Sequence, residues 1–377
     1  MKKLLNQNLL AMTAPKIIIS GGGTGGHIFP ALSIARAIQR RNNKAEILFV
    51  GAHKRMEMEK VPAAGFNIIG LPITGLQRSF TVKNLAFLPK LLISIAKCKS
   101  IIKAFKPDIV IGVGGYASGP LLYKAQRMKI PTLIQEQNSH AGLTNKLLAS
   151  KSRKICVAYE NMDRFFPKNK TILTGNPVRK DLQSSESVVQ QALNHFNLHS
   201  NQKTLLVIGG SLGARTINES IAQNLDELIR KNIQVIWQTG KYYYNQANKE
   251  LQQYSKHNIQ VYEFINRMDF AYGAADFIIS RAGAGSISEL CLVGKPTILV
   301  PSPNVAEDHQ TKNAMALVKK EAALLVPDKN ARQDLIPQFI ELFSNDSKQV
   351  ELGINIQKLA RPNADELIVD EVFKIIK

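Results

Sequence analysis

The chain has 377 residues, 45% apolar and 21% charged, a composition typical of a globular protein whose length favours two domains. Its three cysteines lie far apart and outside any CxxC or Cys/His cluster, which argues against a disulfide framework or a zinc site and fits a reducing compartment. No uncharged apolar run reaches about 18 residues, so we expect no membrane-spanning segment.

The net charge of +20 is unevenly spread along the chain. The first 180 residues hold 29 of the 49 Lys and Arg residues but 7 of the 29 Asp and Glu residues. A basic half beside a nearly neutral half indicates an anionic partner surface, either membrane or nucleic acid. The alternative is a solvated basic surface without a partner.

The predicted elements begin after residue 15. Asn6, Gln7 and Asn8 break the first apolar run, so residues 1–15 are expected to be a loose N-terminal extension rather than a signal peptide. Short apolar runs then predict strands along the rest of the chain. They lie at residues 16–20, 46–50, 66–70, 108–113, 131–135, 154–158 and 171–175, and at 204–210, 233–238, 259–264, 276–280, 296–301 and 322–326.

The hydrophobicity of these runs is continuous rather than alternating, which is typical of parallel strands buried on both faces. Helical patterns separate them, so the sequence predicts an α/β protein with two doubly wound domains. The polar stretch 175–187 marks the expected join. Because such sheets bind ligands beyond the carboxyl ends of their strands, the site is expected in the loops that follow.

The first of these loops is "SGGGTGGHIFPA", residues 20–31. Gly21, Gly23 and Gly26 fit GxGxxG, but the second strand ends in "FVGAHKR" (49–55) without the acid that a dinucleotide ribose requires. The loop therefore predicts close approach of a phosphate or sugar to backbone N–H groups. A tight turn between strand and helix would need fewer glycines.

His27 follows this glycine loop directly. A histidine titrates near neutral pH, so His27 is a candidate general base. The alternative is a histidine that orients the loop through a hydrogen bond to its backbone.

Three loops in the second half carry further candidate residues. "GGSLGAR" (209–215) offers Ser211 and Arg215 to an anionic group such as a diphosphate. In "SRAGAGSISEL" (280–290), Glu289 could accept hydrogen bonds from ribose hydroxyls, or it could simply stabilise a helix N-terminus. "EDHQTKNA" (307–314) offers Gln310 and Asn313 to sugar hydroxyls.

"IQEQNSHAGLTNK" (134–146) clusters Glu136, Gln137, Asn138 and His140 after a first-half strand. Amides of this kind suit carbohydrate recognition. A glycosidase is not favoured, since Glu136 is the main acid on that side and hydrolysis needs two carboxylates. No acid cluster predicts a bound divalent metal ion.

Seven motifs together resemble glycosyltransferase family 28, and within it the MurG-type transferases that add N-acetylglucosamine to lipid I to make lipid II. The resemblance runs from about residue 16 to the C-terminus, in the family's order and spacing. It rests on residues 22–32, 112–120, 135–146, 175–179, 209–215, 280–290 and 308–314.

The resemblance implies a GT-B fold, with two Rossmann-like domains and a cleft between them. It implies an acceptor- and membrane-binding domain at residues 16–180, a donor-binding domain at 181–360, and a final helix at 361–377 that returns to the first domain. UDP-N-acetylglucosamine would be the donor, lipid I the acceptor, and the cytoplasmic face of the inner membrane the location. It implies no cofactor, metal or nucleic acid, and suggests cell-wall and division proteins as partners.

Carried over position by position, the resemblance also implies residue roles. Ser211 would face the diphosphate, Ile265 would bind uracil through its backbone, and Glu289 would bind the ribose. The remaining donor contacts would come from Thr24, Gly25, Gly26, Asn138, Arg179, Ala284, Gly285, Ser286, Ile287, Ser288 and Gln310. Leu212 and Gly285 depart from the residues usual in the family, which puts side-chain contacts there in question.

The implied reaction is an inverting transfer, with His27 the first candidate base and Glu136 a weaker one. Backbone N–H groups would stabilise the leaving diphosphate in place of a metal ion. The competing hypotheses are an oxidoreductase, a non-catalytic nucleotide-binding protein on a membrane, and a related glycosyltransferase with another glycolipid acceptor.

The basic segment 76–106 is the expected membrane contact. Lysines every seven residues would share one helical face, and leucine and isoleucine residues would form an apolar stripe that packs partly inward, with Pro89 starting or kinking the helix. The lysines are Lys83, Lys90 and Lys97, and the stripe is Leu85, Leu88, Leu92 and Ile95.

Overall fold

The computed structural model describes residues 14–75, 87–179, 182, 186–254 and 259–376. The chain divides into two units, one containing Met1–Val178 and Asn363–Lys377, the other Arg179–Pro362. The predicted N-terminal extension, residues 1–15, lies almost wholly outside the described residues. The two units are called unit 1 and unit 2.

In the described part of unit 1, a parallel sheet has the strand order β3-β2-β1-β4-β5-β6-β7. The strands are β1 (Lys16–Ser20), β2 (Glu46–Ala52), β3 (Asn67–Leu71), β4 (Ile109–Gly112), β5 (Thr132–Glu136), β6 (Lys154–Val157) and β7 (Thr171–Leu173). The helices between them are α1 (Gly25–Arg41), α2 (Glu57–Ala63), α3 (Phe87–Phe105), α4 (Ser118–Arg127) and α5 (Leu143–Ala149).

Both faces of this sheet are buried. On β1, Ile17 and Ile19 belong to one apolar cluster and Ile18 to another, because successive side chains of a strand point to opposite faces. The first cluster includes Ile28 of α1, and the second includes Ile101 of α3. This two-sided burial is the physical reason for the continuous apolar runs in the sequence.

Unit 2 repeats the design, with the strand order β10-β9-β8-β11-β12-β13 in its described part, again parallel. The strands are β8 (Thr204–Ile208), β9 (Gln234–Gln238), β10 (Ile259–Tyr262), β11 (Phe277–Ser280), β12 (Thr297–Leu299) and β13 (Leu324–Leu325). The helices are α6 (Glu186–His195), α7 (Arg215–Ala222), α8 (Leu225–Arg230), α9 (Lys241–Leu251), α10 (Met268–Ala274), α11 (Ala284–Val293), α12 (His309–Val318), α13 (Ala331–Phe343) and α14 (Asp346–Lys358).

The last helix, α15 (Ala364–Ile376), belongs to unit 1. Its buried Ile368, Val369 and Val372 join the apolar cluster that contains Ile28. At its start, the buried Asp365 carboxylate accepts a 2.6 Å hydrogen bond from Arg40 of α1. Apolar burial and this ion pair therefore attach the C-terminal helix to α1.

The predicted fold class is confirmed, since both units are Rossmann-like α/β structures built on parallel sheets. Each apolar run named as a strand contains one, with ends that differ by a few residues. The functional division into acceptor-binding and donor-binding domains stays a prediction.

Candidate functional site

The glycine loop after β1 packs directly against the loop after β4. Gly115 has φ +88°, a conformation that favours glycine, and a Cβ atom there would overlap the carbonyl oxygen of Gly22. The ring of Tyr116, 47% exposed, lies beside Gly23, where a Cβ atom would stand 3.6 Å from its Cε2. Gly115 is thus explained by close contact with the backbone of Gly22. Tyr116 is a loop residue that the sequence analysis did not single out.

A carboxylate lies beneath the first glycine loop. Glu57 of α2 is fully buried and accepts 2.9 Å hydrogen bonds from the backbone N–H groups of Gly23 and Ala52. A Cβ atom on Gly22 would overlap Glu57 Oε1. The expectation that this loop offers its N–H groups to a phosphate therefore needs correction at Gly23, whose N–H is directed to an internal anion.

His27 stands in the first turn of α1 and is half-buried. Its Nδ1 lies 3.1 Å from the carbonyl oxygen of Gly22 and 3.2 Å from Thr24 Oγ1. The ring packs on Gly114, where a Cβ atom would come within 2.6 Å of His27 Cδ2. The orienting bond that the sequence analysis offered as an alternative is present, and it is compatible with a base at Nε2.

Glu136, the weaker candidate base, is a buried loop-shaping group at the end of β5. Its Oε1 accepts from the N–H of Asn138 at 3.0 Å, and its Oε2 accepts from the N–H of Gly142 at 3.0 Å and from Asn145 Nδ2 at 2.8 Å. Both oxygens thus act as acceptors within the loop. This geometry favours a positioning role for Glu136, and His27 as the base stays a prediction.

Unit 2 contains a cavity of about 480 Å³ beyond the carboxyl ends of β8, β11 and β12. Parallel sheets bind their ligands at this edge. Its lining includes the glycine loop after β8, the first residues after β11, and polar side chains from neighbouring loops. They are Gly209, Gly210, Gly213, Arg281, Ser286, Asn304, Gln310 and Asp328, among others.

Buried residues of unit 2 pack against the glycine loop of this cavity and fix its backbone. Gly213 has φ +78°, and a Cβ atom there would overlap the carbonyl oxygen of Thr239. That same carbonyl accepts a 2.8 Å hydrogen bond from Asn218 Nδ2, and Asn218 accepts one of 3.0 Å from the buried Trp237. Buried hydrogen bonds therefore fix the backbone against which the glycine loop packs.

Gln310 has a fixed amide orientation. Its Oε1 accepts hydrogen bonds from the backbone N–H groups of Ala282, at 3.2 Å, and Ser302, at 2.8 Å. Because only the carbonyl end of an amide can accept, the NH₂ group is the end left to donate to a ligand. This suits the predicted contact with a sugar hydroxyl.

Arg281, which the sequence analysis did not single out, lines the cavity together with the predicted Arg215. Its guanidinium donates to Asp328 Oδ1 at 2.5 Å and to Thr216 Oγ1 at 3.2 Å. Asp328 stands 47 residues away in sequence, so no local motif joins the two. The ion pair is largely buried and fixes the guanidinium beside the cavity.

Glu289 and Arg179, both predicted donor contacts, are neighbours in unit 2. Arg179 Nε lies 3.3 Å from Glu289 Oε1, and the hydroxyl of Tyr272 donates to Glu289 Oε2 at 3.0 Å. Burial, and secondly the nearby Glu289 charge, raise the pKa of Tyr272 well above its ordinary value. Tyr272 therefore stays protonated and serves as a lasting donor to Glu289.

The backbone of Ile265 is already in use. Its N–H donates to Oε1 of the buried Gln238 at 3.0 Å, and Gln238 Nε2 donates to the carbonyl of Gly210 at 3.0 Å. Gln238 thus ties the base-binding candidate to the glycine loop. Because the Ile265 N–H is bonded to Gln238, the expected contact with uracil would be made by the Ile265 carbonyl oxygen.

Helix α3 differs from the expected membrane contact. Lys97 donates to the carbonyl of Gly70 at 2.9 Å, so it faces the fold, which corrects the predicted lysine face. Lys83 and Leu85 lie outside the described residues. The apolar residues that α3 exposes are Leu88 at 61%, Leu92 at 59% and Ile93 at 56%. Across the described residues, no helix has the length and apolarity to cross a membrane.

Comparison with known proteins decides the family. Residues 17–157 match the glycosyltransferase family 28 N-terminal domain, and residues 204–368 match the glycosyltransferase family 28 C-terminal domain. This chain belongs to glycosyltransferase family 28.

Relatives within family 28 are similar over nearly the whole chain. Proteins of Parabacteroides distasonis and Cytophaga hutchinsonii are 56% and 57% identical over 361 residues, covering 96% of this chain and 98% and 97% of theirs. Both are named UDP-N-acetylglucosamine--N-acetylmuramyl-(pentapeptide) pyrophosphoryl-undecaprenol N-acetylglucosamine transferase. The crystal structure of Acinetobacter baumannii MurG is 28% identical, with a TM-score of 0.79, covering 96% of this chain and all of that one. The predicted resemblance to MurG-type transferases is confirmed.

The predicted contacts of this family-28 chain differ in their access to a ligand. Ser286 and Gln310 line the cavity, and Ser211 is exposed on the adjoining loop. Ile287 has a buried side chain and could offer only its backbone, while a Cβ atom on Gly285 would meet open space. The Gly285 departure therefore removes bulk without altering the packing around it.

The remaining predicted contacts are at loop and helix ends. Thr24 and Gly26 are exposed at the start of α1, and Gly25 packs under the ring of Phe29. Asn138 is half-buried beside Glu136, and Ser288 donates to the carbonyl of Ala284 at 3.0 Å inside α11. The Ser288 hydroxyl is thus hydrogen-bonded within its own helix.

Proposed function

We propose that this chain transfers N-acetylglucosamine from UDP-N-acetylglucosamine to the 4-hydroxyl of the MurNAc-pentapeptide of lipid I, forming lipid II. The observation that carries the proposal is similarity of 53–57% identity, over 96% of the chain, to relatives named for this transfer. The polar cavity of unit 2 supports it, because the cavity combines a glycine loop, a cation and an amide donor.

Unit 2 is the proposed donor site. The glycine loop after β8, with Ser211, and the start of α11, with Ser286, would receive the diphosphate, since N–H groups at a helix N-terminus attract anions. Glu289, oriented by Tyr272 and Arg179, would accept from the ribose hydroxyls. Gln310 would donate to the sugar, and the Ile265 carbonyl would meet the uracil.

The proposed reaction is a single inverting displacement. An electron pair of the acceptor 4-hydroxyl oxygen forms a bond to the anomeric carbon, and the bond from that carbon to the diphosphate oxygen breaks with its electron pair leaving on UDP. The hydroxyl proton passes to His27 Nε2. Backbone N–H groups and the N-terminus of α11 stabilise the negative charge that develops on the diphosphate.

Unit 1 is proposed to contact the cytoplasmic face of an anionic inner membrane, where a polyprenyl acceptor resides. Leu88, Leu92 and Ile93 form an exposed apolar patch on α3, with the exposed Lys99 and Lys103 further along the same helix. Exposed apolar residues beside basic ones suit a headgroup surface. Cell-wall and division proteins as partners rest on the resemblance alone.

The test is transfer of radiolabel from UDP-N-acetylglucosamine to a lipid I analogue by the purified full chain. We expect a labelled disaccharide lipid and released UDP in equal amounts. Transfer only to a different undecaprenyl glycolipid would favour the related glycosyltransferase, and UDP binding without transfer to any lipid would favour a non-catalytic protein.

A further inference from the structure

One peptide group of the first glycine loop joins Glu57 to His27. The N–H of this group belongs to Gly23 and donates to Glu57 Oε2 at 2.9 Å. Its carbonyl belongs to Gly22 and lies 3.1 Å from His27 Nδ1. A buried carboxylate and the candidate base therefore occupy opposite ends of the same amide.

We propose that Glu57 is a positioning residue that acts through this peptide group to hold the proton of neutral His27 on Nδ1. The inference rests on the proposed function, in which His27 is the base. A carbonyl oxygen can only accept a hydrogen bond, so a bond to Gly22 requires the hydrogen on Nδ1. The lone pair of the neutral imidazole is then on Nε2, the nitrogen that must take the acceptor proton.

The carboxylate strengthens this arrangement because hydrogen bonds in series polarise one another. An anion that accepts from the N–H of Gly23 draws electron density toward the carbonyl oxygen of Gly22, which becomes a better acceptor for Nδ1–H. When Nε2 takes the proton, the positive charge of the imidazole is stabilised by the same chain. An acidic side chain that fixes the tautomer of a catalytic histidine is a known device, here relayed by backbone.

The surroundings of Glu57 are shaped for a carboxylate. Its other oxygen, Oε1, accepts from the N–H of Ala52 at 2.9 Å, so each oxygen has a backbone donor. A Cβ atom on Gly51 would come within 2.6 Å of Glu57 Cγ, and one on Gly22 would overlap Oε1. Burying a carboxylate is costly unless it is hydrogen-bonded, so apolar packing alone would not select this residue here.

The tautomer can be measured on the wild-type full chain. Nitrogen-15 NMR of imidazole-labelled protein, with the His27 signals assigned by their loss in His27→Gln, distinguishes protonated Nδ1 from protonated Nε2. We expect neutral His27 to carry its proton on Nδ1, and Glu57→Gln to give a mixture of tautomers. A neutral His27 protonated on Nε2 in the wild type would overturn the proposal without any variant having to fold.

Kinetics give the second readout. Glu57→Gln should lower kcat about 10- to 100-fold, the range found when a residue that orients a metal-binding histidine is replaced. KM for UDP-N-acetylglucosamine should stay within about twofold, because donor contacts are unchanged. Removing the negative charge disfavours protonated His27, so the acidic limb of the pH profile should move to lower pH.

Tyr116, whose phenol also borders this loop, is tested with Tyr116→Phe, which should leave the acidic limb of the pH profile in place.

Glu59→Gln is the matched control, since Glu59 is an exposed acid on the same helix. It should leave kcat, the pH profile and the tautomer unchanged. A folded Glu57→Gln with wild-type kcat and an unmoved acidic limb would contradict the positioning role while leaving the proposed function intact. Absence of transfer by the wild type would instead remove the proposed function, and the NMR result would still report on the tautomer.

Discussion

The hydroxyl of Tyr272 donates a 3.0 Å hydrogen bond to Oε2 of Glu289, and burial keeps that hydroxyl protonated by raising its pKa well above the ordinary value. Arg179 approaches the other oxygen of the same carboxylate at 3.3 Å. Glu289 is therefore held from both sides. A carboxylate fixed in this way is suited to accept from ribose hydroxyls, whereas a helix-stabilising carboxylate would need no such support.

Glu289→Ala should weaken UDP binding by about 1.5–3 kcal/mol, the usual contribution of a hydrogen bond to a charged group. Tyr272→Phe, which removes only the orienting hydroxyl, should weaken it less and raise KM for the donor with little change in kcat. Isothermal calorimetry of UDP binding measures both. Unchanged affinity in Glu289→Ala would mean that this carboxylate only packs with Tyr272 and Arg179, since Glu289 lies beyond the first turn of α11 and is too far along it to stabilise the helix N-terminus.

His27→Ala should reduce kcat by about 10²–10⁴, the range expected for loss of general base catalysis. UDP affinity should stay near that of the wild type, because the donor cavity lies in unit 2. Steady-state kinetics measure the change in kcat, and calorimetry measures the affinity for UDP. A loss of less than tenfold in a variant with normal thermal stability would make His27 an orienting residue only.

Gln310→Glu separates the two ends of one amide. The glutamate keeps the acceptors for the N–H groups of Ala282 and Ser302 but cannot donate to a sugar hydroxyl. We expect KM for UDP-N-acetylglucosamine to rise about fivefold or more, which corresponds to about 1 kcal/mol or more, with UDP affinity far less affected. Gln310→Ala should add a loss of thermal stability because the two N–H groups lose their partner. Equal losses of affinity for UDP and for the sugar nucleotide would count against the sugar contact.

Burial raises the pKa of the Cys98, Cys156 and Cys291 thiols to about 12, from an ordinary 9.0. Because the folded pKa is the higher one, the neutral thiols stabilise the fold fully below about pH 9, and this contribution is lost as the pH rises toward 12. All three should resist a disulfide reagent at pH 8 in the native protein and react together after unfolding. If any of the three thiols reacted rapidly in the native protein, that cysteine would not be buried as described.

Vesicle co-sedimentation should show binding that requires anionic lipid and weakens with salt. Lys99→Glu with Lys103→Glu should reduce it, since each lysine near an anionic surface contributes about 1 kcal/mol. Leu88→Ser with Leu92→Ser should reduce it at any salt concentration because apolar contact is not screened. Lys241→Glu with Lys249→Glu, an exposed pair on α9 of unit 2, is the control and should bind as the wild type does. Equal binding to neutral vesicles would point to a purely apolar contact.

The loops of the candidate site could be located from sequence because each one comes directly after a predicted strand. A continuous apolar run predicts a strand buried on both faces, and the glycines after it predict a turn that opens a helix. Glu289, Gln310 and His27 were predicted in this way, each 7 to 11 residues beyond the end of a strand. Arg281 stood in one of the same motifs but was not singled out, because its partner Asp328 is remote in sequence.

The sequence by itself determined the two α/β units, the glycine loops and the family, because these depend on local periodicity and on motifs short enough to read along the chain. Only the tertiary structure decided which face of α3 is exposed, so that Lys97 bonds to Gly70 while Leu88 meets solvent. It alone placed Glu57 beneath Gly23, 34 residues away in sequence. The physical reason is that such contacts depend on how β2 and α2 pack beside the first loop, and a hydrogen bond between distant residues leaves no periodic trace in the chain.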